Sequence, residues 1–138
     1  MPDPCTYDYA IVRVVPRVER GEFVNVGAIV SSDAEGYLEA RFEVDEARLL
    51  VLDPGLDLAV VRTALAAIAT VCAGGENAGT IGRLGLRERF HWLVAPRSTM
   101  IQTSAVHTGR CDDLAATLDK LLDRMVRTVD PSTPSAWQ

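Results

Sequence analysis

The spacing of the apolar residues changes at Asp45, and this change constrains the fold more than any other feature. Before Asp45 the chain has three extended segments, at Tyr7 to Val15, at Phe23 to Ser31, and after Gly36. The third segment alternates apolar and charged residues, as in a strand with one buried face. The second is apolar throughout, which is typical of a central strand. The short connection between the second and third segments predicts a hairpin.

After Asp45 the apolar residues recur every three or four positions, which indicates amphipathic helices. Asp45 is expected to cap a short helix that ends at Leu52, before Asp-Pro-Gly. The main helix is predicted over Leu58 to Ala73, with a buried stripe at Val61, Leu65, Ile68 and Cys72. A last helix, capped by Asp112 or Asp113, is expected to bury Leu114, Leu118, Leu121, Met125 and Val129.

The region between the last two helices is harder to interpret. Gly74 to Arg87 is rich in glycine but has neither a Walker nor a dinucleotide-binding pattern, so we predict a mobile connection. Phe90 to Ala95 resembles a strand. Pro96 to Ser98 then predicts a tight turn, and Thr99 to Val106 a further strand, which together form a second hairpin.

This order of elements, βββ-αα-ββ-α, predicts an α+β fold. We expect a mixed, largely antiparallel sheet with the helices packed on one face. A chain of 138 residues fits one domain, predicted over residues 7–129. Residues 1–6 are expected to form an N-terminal extension and residues 130–138 a flexible tail.

Several classes of protein are excluded or disfavoured. No apolar run approaches the roughly 18 residues needed to span a bilayer, and the N-terminus lacks a basic secretory region. The three cysteines, Cys5, Cys72 and Cys111, lack zinc-ligand spacing, which favours free thiols in a reducing cytoplasm. Asp112 and Asp113 are explained by helix capping, so neither a metal nor a cofactor is expected.

The net charge of −5 hides two regions of opposite charge. Residues 33–57 contain eight acidic residues and two arginines, whereas residues 83–111 contain five arginines and one glutamate. The net acidity argues against nucleic-acid binding. The basic region is the expected docking place for an anionic small molecule or a protein partner.

Two polar stretches interrupt this pattern and supply the candidate ligand-binding residues. In the first, Arg20 and Glu22 precede Asn25 and Gly27, which are unusual inside an apolar strand. If the strand is regular, Asn25 and Gly27 point to the same side, where a ligand or another backbone can approach. Alternatively, Asn25 satisfies a buried backbone group near a β-bulge.

The second stretch contains hydroxyl, amide, guanidinium and imidazole groups, which suit the binding of a phosphate or carboxylate. Its candidate residues are Arg97, Ser98, Thr99, Gln102, Thr103 and His107. In a strand, Gln102 faces one side with Ser104, and Thr103 faces the other. No catalytic triad or nucleophile elbow is evident, so the sequence leaves open whether the chain is an enzyme.

The same stretches resemble a bacterial family called domain of unknown function 3037. The resemblance rests on YAIVRVVPRVERGEFVNVGAIV, RFHWLVAPRSTMIQTSAVHTG and CDD, and covers roughly residues 7–128. The residues matching the family's motifs are Arg20, Glu22, Asn25, Gly27, Arg97, Ser98, Gln102, Thr103, His107 and Gly109. The resemblance implies a small cytoplasmic protein, in a family often encoded beside a HipA-like kinase.

Together, these observations favour a binding or accessory domain that acts with a protein partner, for which a HipA-like kinase is the candidate. The alternative is an enzyme or binding protein for a phosphorylated or nucleotide-like ligand, acting through the segment from Arg97 to His107. Convergence of the two polar stretches in one concave pocket would favour the alternative.

Overall fold

The computed structural model describes residues 4–97 and 99–128. Five strands form one antiparallel sheet: β1 (Cys5–Val14), β2 (Val24–Ser32), β3 (Tyr37–Phe42), β4 (Ile101–Thr103) and β5 (His107–Cys111). Four α-helices accompany them: α1 (Glu46–Leu52), α2 (Leu58–Ala73), α3 (Leu86–Val94) and α4 (Leu114–Met125). The predicted α+β class is therefore confirmed. Among the described helices, none is both long enough and apolar enough to cross a membrane.

Strand β1 lies inside the sheet and is paired along both edges. One edge pairs with β2, which in turn pairs with β3, as the predicted hairpin requires. The other edge pairs with β5 along the first half of β1 and with β4 along the second half. All of these pairings are antiparallel, so the described sheet is not mixed.

A β-bulge at Val26 changes the face to which the residues of β2 point. Val12 pairs with Gly27, but the next residue, Arg13, pairs with Asn25, so Val26 is the extra residue. Asn25 and Gly27 consequently face opposite sides of the sheet, and the expectation that they share one side was wrong. The bulge that the alternative interpretation expected near Asn25 is present.

The predicted second hairpin is absent from the described sheet. Within the strand expected over Thr99 to Val106, only Ile101–Thr103 is extended, as β4. The next strand, β5, begins at His107, and β4 and β5 do not pair with each other. Both follow the same edge of β1, and the register between them slips by one residue around Ser104. The Ser104 side-chain oxygen accepts a hydrogen bond from the Ile11 amide at 2.9 Å, and its own amide donates to the Ile11 carbonyl. These two bonds keep the edge of β1 satisfied across the interruption.

Helices α1, α2 and α3 cover one face of the sheet. The core on this side combines Val12, Val14 and Ile29 of the sheet with side chains of the three helices. The predicted stripe of α2 is confirmed, because Val61, Leu65, Ile68 and Cys72 are all buried. The predicted cap of α1 is also present, since the Asp45 carboxylate accepts a hydrogen bond from the Arg48 amide at 3.1 Å.

Helix α3 includes most of the segment from Phe90 to Ala95, so the prediction of a strand there was wrong. The aromatic and branched residues of this segment favour a strand when taken alone. However, Leu86, Phe90 and Leu93 are spaced four and three residues apart, so a helix places all three on one face. Phe90 and Leu93 are buried against the core of α1 and α2. Tertiary packing thus decides the conformation of a segment whose local preference is ambiguous.

Helix α4 packs on the opposite face, so the expectation of helices on one face needs correction. Alternate residues of the inner strands point to this side, where Ile11, Ala28 and Val30 contact Leu118 and Leu121. A β-strand that is apolar on both faces requires a covering layer on each side. The nearly continuous apolar run of β2 is the sequence signal for this second layer.

The C-terminal end of α4 is held to the sheet by charges. Arg127 Nε donates to Glu43 at 2.6 Å, and the same guanidinium binds Asp119 and Asp123 of the helix. These carboxylates, Asp123 foremost, raise the pKa of Arg127. The predicted inner face of α4 is correct at Leu118 and Leu121 but wrong at Met125, which is 44% exposed. Val129 and the predicted tail lie outside the described residues.

The glycine-rich connection contains two short 3-10 turns, at Glu76–Ala78 and Ile81–Arg83. The Gly75 amide donates to the Gly82 carbonyl at 3.1 Å, which closes the connection into a loop. The Arg89 guanidinium then donates to the carbonyls of Val71 and Cys72, at the C-terminal end of α2. Hydrogen bonds of this kind satisfy carbonyls that have no partner within the helix.

We predict that Gly27→Ala destabilises the protein by about 2 to 3 kcal/mol, because an added methyl group has no room. A Cβ atom at this position would lie 2.4 Å from both the Arg41 carbonyl oxygen and Phe42 Cδ1. Urea-induced unfolding measures the effect. The matched control is Gly55→Ala, whose nearest contact is at 3.6 Å, and its expected change is below about 1 kcal/mol. Equal stability of the two variants would contradict the close packing of β2 on β3.

Candidate functional site

Three polar residues lie in one row across the sheet, on the face that carries α4. The register pairs Arg13 of β1 with Asn25 of β2 on one side and with Gln102 of β4 on the other. Directly paired residues of antiparallel strands point to the same face. We call Arg13, Asn25 and Gln102 the polar row. It joins one residue from each of the two polar stretches identified in the sequence.

Arg13 is the charged centre of the polar row. Its guanidinium carbon lies 4.3 Å from the centroid of the Phe23 ring, in a cation–π contact. The Nε atom is buried and has no hydrogen-bond partner among the described residues. No described carboxylate lies close enough to form an ion pair with Arg13. A partly buried cation without an anionic partner is a favourable place for a carboxylate or phosphate to bind.

The two amides of the row also have structural roles. Asn25 Nδ2 donates to the Met125 carbonyl at 2.9 Å, which anchors the last turn of α4 to β2. Gln102 Nε2 donates to the Thr99 carbonyl at 2.9 Å, within the turn that leads into β4. Neither amide oxygen accepts a hydrogen bond within the described residues, so each can act as an acceptor. The row therefore offers a central cation flanked by two neutral polar groups.

His107 lies further along the same face. It pairs with Tyr9, and the centroids of the two rings are 5.3 Å apart. His107 is exposed, whereas Tyr9 packs at the margin of the α4 core. Helix α4 packs mainly on β2 and β3, so the strip from Gln102 to His107 along the outer strand is left uncovered by the helix.

Arg97 and Thr99 lie at a different place, facing α2 and α3. They border a groove of about 340 Å³, lined largely by apolar side chains that include Ile68, Trp92 and Met100. We call it the Trp92 groove. The Arg97 guanidinium stacks on the Trp92 ring at 4.4 Å and donates to the Trp92 carbonyl at 2.7 Å. Arg97 thereby satisfies a carbonyl near the C-terminal end of α3.

The remaining candidates are distributed over the molecule. Thr103 Oγ1 donates to the Val94 carbonyl at 3.4 Å on the α3 side, opposite Gln102 as expected. Arg20 and Glu22 pair with each other on an exposed loop. Ser98 lies outside the described residues. Asn25, Gln102 and His107 thus share one face, while Arg97, Thr99 and Thr103 lie on the other side of the sheet.

Of the two aspartates before α4, Asp113 is the helix cap. The Asp113 carboxylate accepts a hydrogen bond from the Ala116 amide at 3.1 Å. No cluster of three or more potential metal ligands occurs within residues 4–97 and 99–128.

Arg13 was missed by the sequence analysis because strand alternation alone does not distinguish it from a solvated arginine. The available signal was its position inside the apolar run AIVRVV, where a charge on an inner strand needs a specific environment. Its significance depends on long-range pairing with β2 and β4.

A comparison with known protein families finds one family whose match includes the three residues of the polar row. The profile of the family described as "Protein of unknown function (DUF3037)" matches residues 9–126, most of the chain. The chain belongs to this family. The resemblance that rested on the two polar blocks is thereby confirmed. No curated protein and no solved structure matches the chain. Membership of DUF3037 assigns no activity to the chain.

We predict that Asn25→Ala lowers the free energy of unfolding by about 1 kcal/mol, because the Met125 carbonyl loses its donor. Thermal and urea unfolding measure the loss. The control is Asn77→Ala, at an exposed position in a 3-10 turn, with an expected change within about 0.5 kcal/mol. If Asn25→Ala is as stable as the wild type, the hydrogen bond from Asn25 to the Met125 carbonyl contributes nothing to the free energy of unfolding.

Proposed function

We propose that this DUF3037 chain is a binding domain, and that the polar row binds an acidic segment of a partner protein. The observation that carries the proposal is Arg13. Arg13 is paired in register with Asn25 and Gln102, its buried Nε atom has no hydrogen-bond partner, and its side chain forms no ion pair within the described residues. A partner carboxylate placed over Arg13 would supply that missing ion pair.

The surroundings of the polar row support a protein partner rather than a small molecule. Phe23 and Met125, which adjoin Arg13 and Asn25, are 45% and 44% exposed. Aromatic residues, methionine and arginine are enriched at protein–protein interfaces. Small-molecule sites are concave, whereas the row lies on a sheet surface. A broad contact with a peptide or a folded partner suits this shape.

The partner we propose to test first is a HipA-like kinase, because the family resemblance implies a frequent association of their genes. The partner is expected to present at least one aspartate or glutamate to Arg13, with apolar side chains against Phe23 and Met125. An acidic segment is also the class of ligand that a lone arginine can orient through two parallel hydrogen bonds.

We predict that Arg13→Met weakens binding of the kinase at least about tenfold, the effect of losing a hydrogen-bonded ion pair. Isothermal calorimetry with a HipA-like kinase from the same genome measures the affinity. Stability is expected to stay within about 1 kcal/mol, because removal of an unsatisfied buried nitrogen offsets the lost cation–π contact.

The control is Arg83→Met, which removes an exposed arginine remote from the polar row in sequence and should bind as the wild type does. Undiminished binding by Arg13→Met would exclude the polar row as the docking site. No complex at micromolar concentration would exclude the kinase as the partner.

The alternative, a binding site for a nucleotide-like ligand, is favoured by one observation. The Trp92 groove has a volume within the range of small-molecule sites and combines an indole ring with a guanidinium. If this function holds, adenosine monophosphate binds saturably, and Arg97→Ala abolishes binding while Arg13→Met does not. Absence of binding at millimolar nucleotide, measured by calorimetry, would exclude it.

A further inference from the structure

Two of the three cysteines, 106 positions apart in the sequence, meet at one corner of the sheet. Cys5, the first residue of β1, pairs directly with Cys111, the last residue of β5. Their Sγ atoms are 3.6 Å apart, and Cys5 Sγ also donates to the Cys111 carbonyl at 3.3 Å. Both are free thiols and only partly buried. The third cysteine, Cys72, is buried in the core of α2.

The backbone at this corner suits a disulfide. Directly paired residues in antiparallel strands have Cα atoms roughly 4.5 to 5.5 Å apart, and disulfides span roughly 4.4 to 6.8 Å. The two sulfur atoms need to approach by only about 1.5 Å to reach the length of an S–S bond, which side-chain rotation can supply. No rearrangement of the strands is required.

The two thiols differ in their surroundings. Cys111 lines a cleft of about 360 Å³ between β5 and α4, together with Arg110, Lys120 and Arg124. A small oxidant in this cleft therefore reaches the Cys111 sulfur. Partial burial, together with the hydrogen bond to Cys111, raises the pKa of Cys5. Cys5 consequently remains protonated near neutral pH and lies beside Cys111 as a second thiol.

We propose that Cys5 and Cys111 form a redox-active dithiol, a modification site that peroxide converts into an intramolecular disulfide. In the first step the Cys111 sulfur attacks one peroxide oxygen. The O–O bond breaks, Cys111 becomes a sulfenic acid, and the released hydroxide takes up the thiol proton to form water. In the second step the Cys5 sulfur attacks the Cys111 sulfur, the S–O bond breaks, and a second water molecule leaves with the Cys5 proton. Two thiols are oxidised and one peroxide is reduced.

The disulfide would brace the N-terminal end of β1 against the strand that leads into α4. Asp113, the N-cap of α4, follows Cys111 by two residues. Because the bond would close a loop of more than 100 residues, the oxidised protein is expected to melt roughly 5 °C or more above the reduced protein. The proposal is independent of the polar row, which lies at the other end of β1.

The test treats the fully reduced chain with hydrogen peroxide and maps the products by mass spectrometry. The expected product has lost two hydrogen atoms and contains one cross-link, between the peptides of Cys5 and Cys111. Cys72 should remain alkylatable after unfolding, because burial raises its pKa to about 12 and shields it. The matched variant Cys72→Ser should form the same cross-link as the wild type.

Single variants test the order of the two steps. In Cys5→Ser, the sulfenic acid at Cys111 should persist and be trapped by dimedone. In Cys111→Ser, no label should appear at Cys5. Labelling in the reverse pattern would overturn the order of the steps. Separate over-oxidation of the two cysteines, disulfides between chains, or a cross-link that includes Cys72 would overturn the dithiol itself.

Discussion

The antiparallel pairing of β1 along both of its edges is the interaction on which the rest of the structure depends. Because every backbone group of an inner strand must be satisfied, β1 fixes the register of β2 on one side and of β4 and β5 on the other. The alternating side chains of β1 also contribute to two hydrophobic cores, because Ile11 faces α4 whereas Val12 faces α1, α2 and α3. The polar row and the cysteine pair are both products of this register.

Local signals in the sequence predict the elements whose formation is local. The apolar stripe of α2 and the Asp45 cap depend on residues within one or two turns, so periodicity and capping identify them. The interpretation failed where long-range packing decides. The α3 segment contains Phe90 and Trp92, which favour strands, and it becomes helical because the core receives Phe90 and Leu93 on one side. Likewise, β4 and β5 pair with β1, a strand about 100 residues earlier, rather than with each other.

The candidate site was predictable in its residue types but not in its arrangement. Asn25 and Gln102 are conspicuous as polar residues in apolar strands, and they do share a face. Both residues pair with Arg13, and the pairing of Asn25 with Arg13 depends on the bulge at Val26. No local sequence pattern reveals this bulge, which places Asn25 and Gly27 on opposite faces of the sheet. The guanidinium of Arg97 is equally suited to binding a phosphate or carboxylate. It lies on the other side of the sheet, because the chain crosses from α3 to β4 before it reaches Gln102.

The slip in register around Ser104 has a consequence for self-association. An outer strand with a long unpaired edge can add a strand from another molecule and so begin an aggregate. In the described sheet, the edge opposite β3 is divided into three residues of β4 and five of β5. The interruption shifts the hydrogen-bonding pattern by one position, so a straight incoming strand can match either part but not both. The outer edge thereby discourages continuous sheet extension between copies of the chain.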